Sequence, residues 1–431
     1  MRIVVWGTGI TGIMTARMMM QKGHEVRLVD EKMPLKPQEI PIKPLEAADM
    51  GWAELVIPSP GVPRHHPMLK KAKKVLSEIE VAASLLSGKL IAITGTNGKT
   101  TTTTLVHKIL KAQGFDAGIG GNISPPLISL VDTDPDYVVA EISSFQLEWI
   151  ERFRPFISIC MNITPDHLDR YRTMDEYVYY KLKIFANQTA EDIAIINDDD
   201  PYLKDIPLKA RRVLFSMTHR VSGDGAYIKD SKIVFTGSIA GIGPKVPPRE
   251  KIGVGVIEDM LATALAGRFL GVETSVMEDV FLNFKVIHHR FEYVGTIGGV
   301  TFIDDSKATN VGALDKALST LTSKVILILG GKDKGGDFSD IAQRYKTTIK
   351  KAYLIGEAKA RIEGEIADIV DTSAAQDMFE AVTQAYLGAT PGDIILLSPG
   401  CASFDMFNSY AHRGEVFQEC VYGILKSTSA R

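Results

Sequence analysis

Cysteine is scarce: the three in 431 residues, Cys160, Cys401 and Cys420, are scattered without CxxC spacing. That excludes a disulfide framework and a structural zinc site of the usual spacing, and it fits a reducing compartment. An excess of one charge is also missing, because 49 Lys and Arg face 52 Asp and Glu for a formal net charge of -3. Neither nucleic acid nor an anionic membrane surface is therefore expected as a partner. No apolar run reaches the roughly 18 residues needed to cross a bilayer, so no membrane insertion is expected. The chain enters a strand-like run, Ile3-Val4-Val5-Trp6, without the long apolar core of a secretion signal. Together these absences predict a cytoplasmic protein with small-molecule partners, and a monomer is expected.

What is present is an average globular composition, 45% hydrophobic and 23% charged, in a chain long enough for two or three domains. Short apolar runs alternate with helix-period segments, the pattern of an α/β fold with parallel strands between helices. The first unit is expected over residues 1–88. It reads as a strand at Ile3–Trp6, a glycine turn, a methionine-rich helix to Gln21, Gly23 as a stop, a strand at Val26–Asp30, and an irregular stretch marked by prolines 34, 37, 41 and 44. A second unit, 89–286, opens with the strand Lys89–Thr94, a glycine loop and a helix that Gly114 caps. Further strands are expected at Tyr137–Ala140, Phe156–Met161 and Ile193–Ile196, and a proline- and glycine-rich stretch near residues 237–248. A third unit, 287–431, carries strands near Val325–Leu329, Ala352–Ile355 and Asp393–Leu397.

Thr94-Gly95-Thr96-Asn97-Gly98-Lys99-Thr100-Thr101 holds the densest chemistry. A phosphate needs several backbone N–H donors converging on it, glycines that let the backbone approach, and a helix N-terminus behind it. Lys99 would set a positive charge on the β- and γ-phosphates, and Thr100 would offer its hydroxyl to Mg²⁺. Ile93 stands where the strict GxxxxGK[ST] pattern has its first glycine. The bland reading is a tight strand-to-helix turn with a surface lysine. Against it, Thr100–Thr104 is a run of β-branched residues, poor helix formers, at the head of an otherwise good helix. A second glycine set, Gly7-Thr8-Gly9-Ile10-Thr11-Gly12, follows a strand, with Asp30 at the end of the next. It fits a dinucleotide fingerprint, so an NAD-dependent dehydrogenase is the competing reading.

TGTNGKTT, with Gly120-Gly121-Asn122-Ile123, Glu141-Ile142-Ser143-Ser144-Phe145-Gln146-Leu147-Glu148 and Asp304-Asp305-Ser306-Lys307-Ala308-Thr309-Asn310, resembles the Mur ligases of peptidoglycan synthesis over essentially the whole chain. SSFQLE and Ser398-Pro399-Gly400-Cys401-Ala402-Ser403-Phe404-Asp405 resemble the branch that joins D-glutamate to UDP-N-acetylmuramoyl-L-alanine. The resemblance implies a Rossmann-like N-terminal domain, a central P-loop-type ATPase domain and a C-terminal Rossmann-like α/β domain. It also implies an ATP-dependent ligase that passes through an acyl phosphate with two Mg²⁺ ions. A carboxylate is unreactive toward amines, so phosphorylation must precede amide formation, and cations must carry the developing charge.

Residue by residue, the resemblance gives Gly95, Thr96, Asn97, Gly98, Lys99, Thr100, Thr101, Asp259, Arg290 and Asp305 to ATP. Ile10, Thr11, Gly12, Asp30, Lys32, Ser59, Pro60 and Gly61 fall to the UDP substrate, with Asn122 and His167 at its reacting end. Thr100, Glu141, His167 and Lys181 would hold the metal ions, and Lys181 would be carbamylated, which requires a lowered pKa because only the neutral amine takes up CO₂. Lys99, Asn122, His167, Lys181 and Lys307 form the catalytic set. Thr309, Lys334, Ser403 and Tyr410 match the D-glutamate positions, where two carboxylates call for cationic and hydroxyl donors. Glu141, His167, Lys181, His289-Arg290 and Tyr410 each have an ordinary structural reading as well: turn cap, solvated loop, surface lysine, hinge polars, core aromatic. One departure stands out. Where the family shows G-x-H-N-x-x-N, this chain reads Gly253-Val254-Gly255-Val256-Ile257-Glu258-Asp259, which replaces an amide by a charge near the adenine or ribose. A sister ligase adding another amino acid, a folylpolyglutamate synthetase and a non-catalytic nucleotide-binding module are the remaining alternatives.

Overall fold

The computed structural model describes all residues except 32–39, 169, 249–251, 286–287 and 430–431, and the side chains of 427–429. Lys32 and the expected boundary at 286/287 therefore lie outside the described residues. The chain divides into two compact units. One comprises Met1–Ile163, Arg170–Lys245 and Asp259–Phe281, the other Thr164–Asp169, Val246–Glu258 and Leu282–Arg431.

The first unit holds two sheets. Four parallel strands run in the order Ile42–Pro44, Glu25–Asp30, Arg2–Trp6, Leu55–Pro58. Ile3, Val4, Val5 and Trp6 are all buried, so this strand reads as a continuous apolar run, as expected of a strand covered on both faces. Nine strands form the larger sheet in the order Gly241–Lys245, Lys232–Thr236, Gly225–Lys229, Arg211–Ser216, Ile193–Asn197, Ile157–Cys160, Lys89–Thr94, Tyr137–Glu141, Ala117–Gly121. The two sheets share one apolar core, in which Met19 and Ile79 meet Leu127, Ile128 and Val131. That shared burial makes them one compact unit.

Most expected strands are found within a residue or two, and Gly114 does cap the helix Lys99–Gln113 with φ 93°. The glycine- and proline-rich stretch differs: it contains the strand Gly241–Lys245, placed at the sheet edge where a missing proline N–H breaks no interior ladder. Beside it, the hairpin Gly225–Lys229/Lys232–Thr236 turns through Asp230 and Ser231, both at positive φ (49° and 57°). Two positive-φ residues in a two-residue turn match the right-handed twist of the flanking strands.

In the second unit six strands follow the order Glu292–Ile297, Val300–Asp304, Ile394–Leu397, Val325–Gly330, Ile349–Ile355, Thr372–Ala374. All pairings are parallel except the first. Among the described residues, no helix is long and apolar enough to cross a membrane.

Candidate active site

At the carboxyl end of Lys89–Thr94 the sheet connections diverge. Tyr137–Glu141 pairs on one side of this strand and Ile157–Cys160 on the other. Ligands of open α/β sheets bind at such switch points. The loop 95–98 turns here through Gly95 (φ 145°) and Gly98 (φ 86°), and Gly98 is the N-cap of Lys99–Gln113. A side chain at Gly98 would be strained by φ, and its Cβ would sit 2.4 Å from Asp259 Oδ1. Asn162 braces the loop: its Oδ1 accepts from Asn97 N at 2.9 Å and its backbone oxygen from Thr96 N at 2.8 Å. Tyr177 OH lies 3.0 Å from Thr96 Oγ1.

Two lysines converge on this loop. Lys99 Nζ donates to Gly95 O (2.9 Å) and Thr96 O (2.8 Å), and Lys181 Nζ donates to Gly95 O at 2.8 Å while lying 4.7 Å from the centre of the Tyr177 ring. Lys181 is buried, so the surface-lysine reading fails. Glu141, in register with Ile93, takes Asn122 Nδ2 on Oε1 at 2.8 Å, and Asn122 N donates to Glu141 O at the same distance. Glu141 Oε2 is buried without a hydrogen-bond partner. Such an oxygen is costly to bury unless a proton donor or a hard cation meets it, so this carboxylate suits Mg²⁺. Thr100 follows Lys99 in the first turn of the same helix.

Asp259 sits against the phosphate loop: it is buried, and its Oδ1 accepts from Thr102 Oγ1 at 3.1 Å. A carboxylate at a helix N-terminus is favoured by the exposed N–H groups there. The charge that looked out of place in the sequence thus has a local structural reason.

The other glycine set lies over a cavity of about 340 Å³ lined by Gly7, Asp30, Ser59, Gly61, Val62 and His66 among others. A Cβ at Gly12 would lie 1.9 Å from Gly7 O, and one at Gly7 would lie 2.1 Å from Ser59 Oγ, so both positions demand glycine. Asp30 Oδ2 accepts from Thr8 N and Thr8 Oγ1, both at 2.8 Å, which fixes the loop to the neighbouring strand end. Ile10 and Thr11 open the helix Ile10–Gln21. Pro60 continues the turn that ends in the Val62 N to Ser59 O bond of 2.9 Å.

The second unit gathers its residues at the carboxyl ends of Val300–Asp304, Val325–Gly330 and Ile394–Leu397. Lys307 Nζ lies 3.4 Å from Tyr410 OH and 5.0 Å from the centre of its ring. Lys332 pairs with Ala402, bringing the Lys334 loop beside buried Ser403. Thr309 follows Lys307 in a turn, its N–H donating to Lys307 O at 2.9 Å. Asp305 is buried, with Ser398 Oγ on Oδ2 at 2.9 Å and Phe291 N on Oδ1 at 3.1 Å; burial, partly offset by these bonds and by Arg290, pushes its pKa up to about 7. Arg290 Nε is buried without a partner. His167 adopts φ 57° and is partly exposed, unlike the buried Glu141 and Lys181. His289 Nδ1 is 2.7 Å from Asp304 Oδ2, and that bond, against the cost of burial, raises the imidazole pKa. With Glu292 these two could share an ion, but Gln418 Nε2 already donates to both carboxylates.

Two functional candidates were not singled out by sequence. Asp166 pairs with Lys334 at 3.0 Å, and although burial raises its pKa, the charges of His167 and Lys334 hold it below the usual carboxylate value. Arg413, fully buried, donates to Ser306 Oγ and O and to the carbonyls of Cys401 and Ala402, tying together the two loops that carry Lys307 and Ser403. An arginine inside the helix Tyr410–Ser429 gives no sequence signal of this; for Asp166 the signal was its place next to the expected ligand His167.

Residues 93–236 match the Mur ligase middle domain, and residues 289–401 the Mur ligase glutamate ligase domain. This is a nucleotide-dependent ligase fold, and the chain belongs to the Mur ligase family. Its curated relatives include the UDP-N-acetylmuramoylalanine–D-glutamate ligases of Geotalea daltonii, 38% identical over 97% of both chains, and of Koribacter versatilis, 40% identical over the same shares. Among solved structures, a pseudomurein peptide ligase type C from Methanothermus fervidus (17% identity, TM-score 0.65, covering 98% of this chain and 99% of that one) shares the fold. MurF ligase from Thermotoga maritima in complex with ADP does too (15%, 0.62, 99% and 95%).

Proposed function

We propose that this enzyme joins D-glutamate to UDP-N-acetylmuramoyl-L-alanine at the expense of ATP, in peptidoglycan precursor synthesis. The observation that carries the reading is 38% and 40% identity over 97% of the chain to two ligases of that name, together with a glycine loop whose neighbouring carboxylate, Glu141, has one buried oxygen unpaired. In this reading the chain has a Rossmann-like UDP-binding domain (1–88), a P-loop-type ATPase domain (89–286) and a Rossmann-like amino-acid domain (287–431), and works in the cytoplasm as a monomer.

The substrate carboxylate oxygen attacks the γ-phosphorus of ATP and ADP leaves. The amine of D-glutamate, having lost a proton, then attacks the acyl carbon, and inorganic phosphate departs with the C–O bond electrons. Backbone N–H groups of residues 95–100 hold the phosphates, with Arg290 and Asp305 toward the base and ribose, and Lys99 neutralises charge on the transferred group. Thr100, Glu141, His167 and Lys181 would hold two Mg²⁺ ions, which supply Lewis acidity at the phosphoryl oxygens. Asn122, fixed by Glu141, orients the acyl end. Lys307, Lys334, Thr309, Ser403 and Tyr410 meet the amino acid. Lys181 takes up CO₂ as a carbamate, releasing a proton; its burial beside the loop supports this assignment. An intact mass lacking the CO₂ adduct in fully active protein would remove it.

The deciding assay is phosphate release from ATP with UDP-N-acetylmuramoyl-L-alanine, comparing D-glutamate with L-glutamate, L-lysine and diaminopimelate. Turnover with D-glutamate alone is expected. Faster turnover with any other would overturn the specificity.

A further inference from the structure

The SSFQLE stretch, Ser143–Glu148, resembles the D-glutamate-adding branch, yet the chemistry above uses none of its side chains. The structure gives its last residue a task. Glu148 is buried and takes the fork of Arg170: Nε on Oε1 at 2.9 Å and Nη2 on Oε2 at 2.7 Å, with side chains 1% and 15% exposed. Tyr171 OH adds a third bond to Oε1 at 3.0 Å, and the Arg170 guanidinium lies 4.3 Å from the centre of the Phe145 ring, in the same motif. Held this way, the guanidinium has little rotational freedom, and its remaining donors face the first sheet. Nη2 donates to Val62 O at 3.0 Å and Nη1 to Gly61 O at 3.5 Å. Gly61 and Val62 line the 340 Å³ cavity beneath the Gly7–Gly12 turn.

We propose that Arg170, gripped by Glu148, is a positioning residue for the nucleotide-sugar substrate: it fixes the Gly61 and Val62 carbonyls in the cavity wall and so sets the shape of that subsite. A buried ion pair is a poor source of stability, since desolvating two charges offsets their attraction. A rigid planar fork that also reaches two backbone carbonyls is a good source of geometry. This rests on the ligase reading above, in which that cavity receives the UDP moiety.

The test is steady-state kinetics on Arg170→Lys and Glu148→Gln. Lysine keeps the charge but cannot reach the carboxylate and both carbonyls at once. KM for UDP-N-acetylmuramoyl-L-alanine should rise roughly tenfold in Arg170→Lys, the loss of about one charge-assisted hydrogen bond, and about threefold in Glu148→Gln. kcat and the KM values for ATP and D-glutamate should stay within about twofold, since those groups bind elsewhere. Unchanged KM for the nucleotide sugar, or a parallel change in all constants, would overturn the proposal. Should Arg170→Lys fail to fold, Glu148→Gln carries the same comparison. Amide hydrogen exchange over residues 59–63, read without substrate, separates this idea from the reaction assignment. If wild-type protein does not turn over that nucleotide sugar, the ligase reading falls, and the positioning role stands or falls on faster exchange in the variants.

Discussion

In the first unit, the candidate phosphate site is built around backbone: two positive-φ glycines and a helix N-terminus, with lysines resting on the loop's own carbonyls. In the second, the candidate amino-acid subsite is built from individual side chains, with Lys334 paired to Asp166 and Lys307 donating to Tyr410 OH. The contrast follows from the ligands. A polyphosphate offers many equivalent oxygens, which a preorganised set of N–H donors satisfies without discrimination between close relatives. An amino acid with two carboxylates must be told apart from others, and that takes individual cations at set positions.

Breaking the first site should have the largest effect. Lys99→Ala is expected to lower phosphate release about a hundred- to a thousand-fold, with unfolding by urea unchanged, because the lost charge matters most in the transition state. A residual rate near wild type would mean the loop backbone alone is sufficient. Lys334→Ala should instead raise the KM for D-glutamate about 10- to 100-fold while leaving the KM for ATP alone. The same change leaves Asp166 buried without its cation, so that carboxyl should titrate higher, readable by NMR. Asp166 is depressed in the wild type, so its contribution to stability is present above its unfolded pKa and lost as pH falls through the lower folded value. In Lys334→Ala that acid-side loss should be smaller and should be complete at a higher pH.

Gly98→Ala tests the backbone argument, and should cost about 2 kcal/mol of stability through φ strain and the approach to Asp259. Equilibrium denaturation would show it. Adding Asp259→Ala should recover only the steric part. The smallest effect belongs to Glu78, at the start of the helix Glu78–Leu85. Burial, opposed by its bond from Ile128 N, pushes its pKa up to about 7. A raised carboxyl favours the fold fully below its unfolded pKa of 4.5, and that contribution fades as pH rises through about 7. Relative to wild type, Glu78→Gln should therefore gain in urea midpoint as pH increases across that window; a constant offset would contradict the assignment.

The phosphate loop was legible because its chemistry is contiguous: glycines, lysine and threonine must follow one another along a strand-to-helix turn. Glu141 could be located because it follows the expected strand Tyr137–Ala140, whereas Asn122 was read from its resemblance to the family motif. Asp166–Lys334 was not, since the partners are 168 positions apart and only the fold joins them. Ala117–Gly121 went unread as a strand because three of its five residues are glycine. A Cβ at Gly121 would lie 2.3 Å from Glu141 O, so close approach to the neighbouring strand overrides the poor strand propensity of glycine. Asp259 looked like a lost nucleotide contact. Its packing against Gly98 could only be seen in three dimensions.

The hairpin tip at Asp230–Ser231 has a practical side. It is exposed, lies on a strand pair at the far edge of the nine-stranded sheet from Tyr137–Glu141, and its geometry is set locally by two positive-φ residues. A fluorophore or short epitope inserted there would ride on a stiff ribbon without entering either the glycine cavity or the phosphate loop, giving a handle for watching the enzyme at work while its chemistry runs undisturbed.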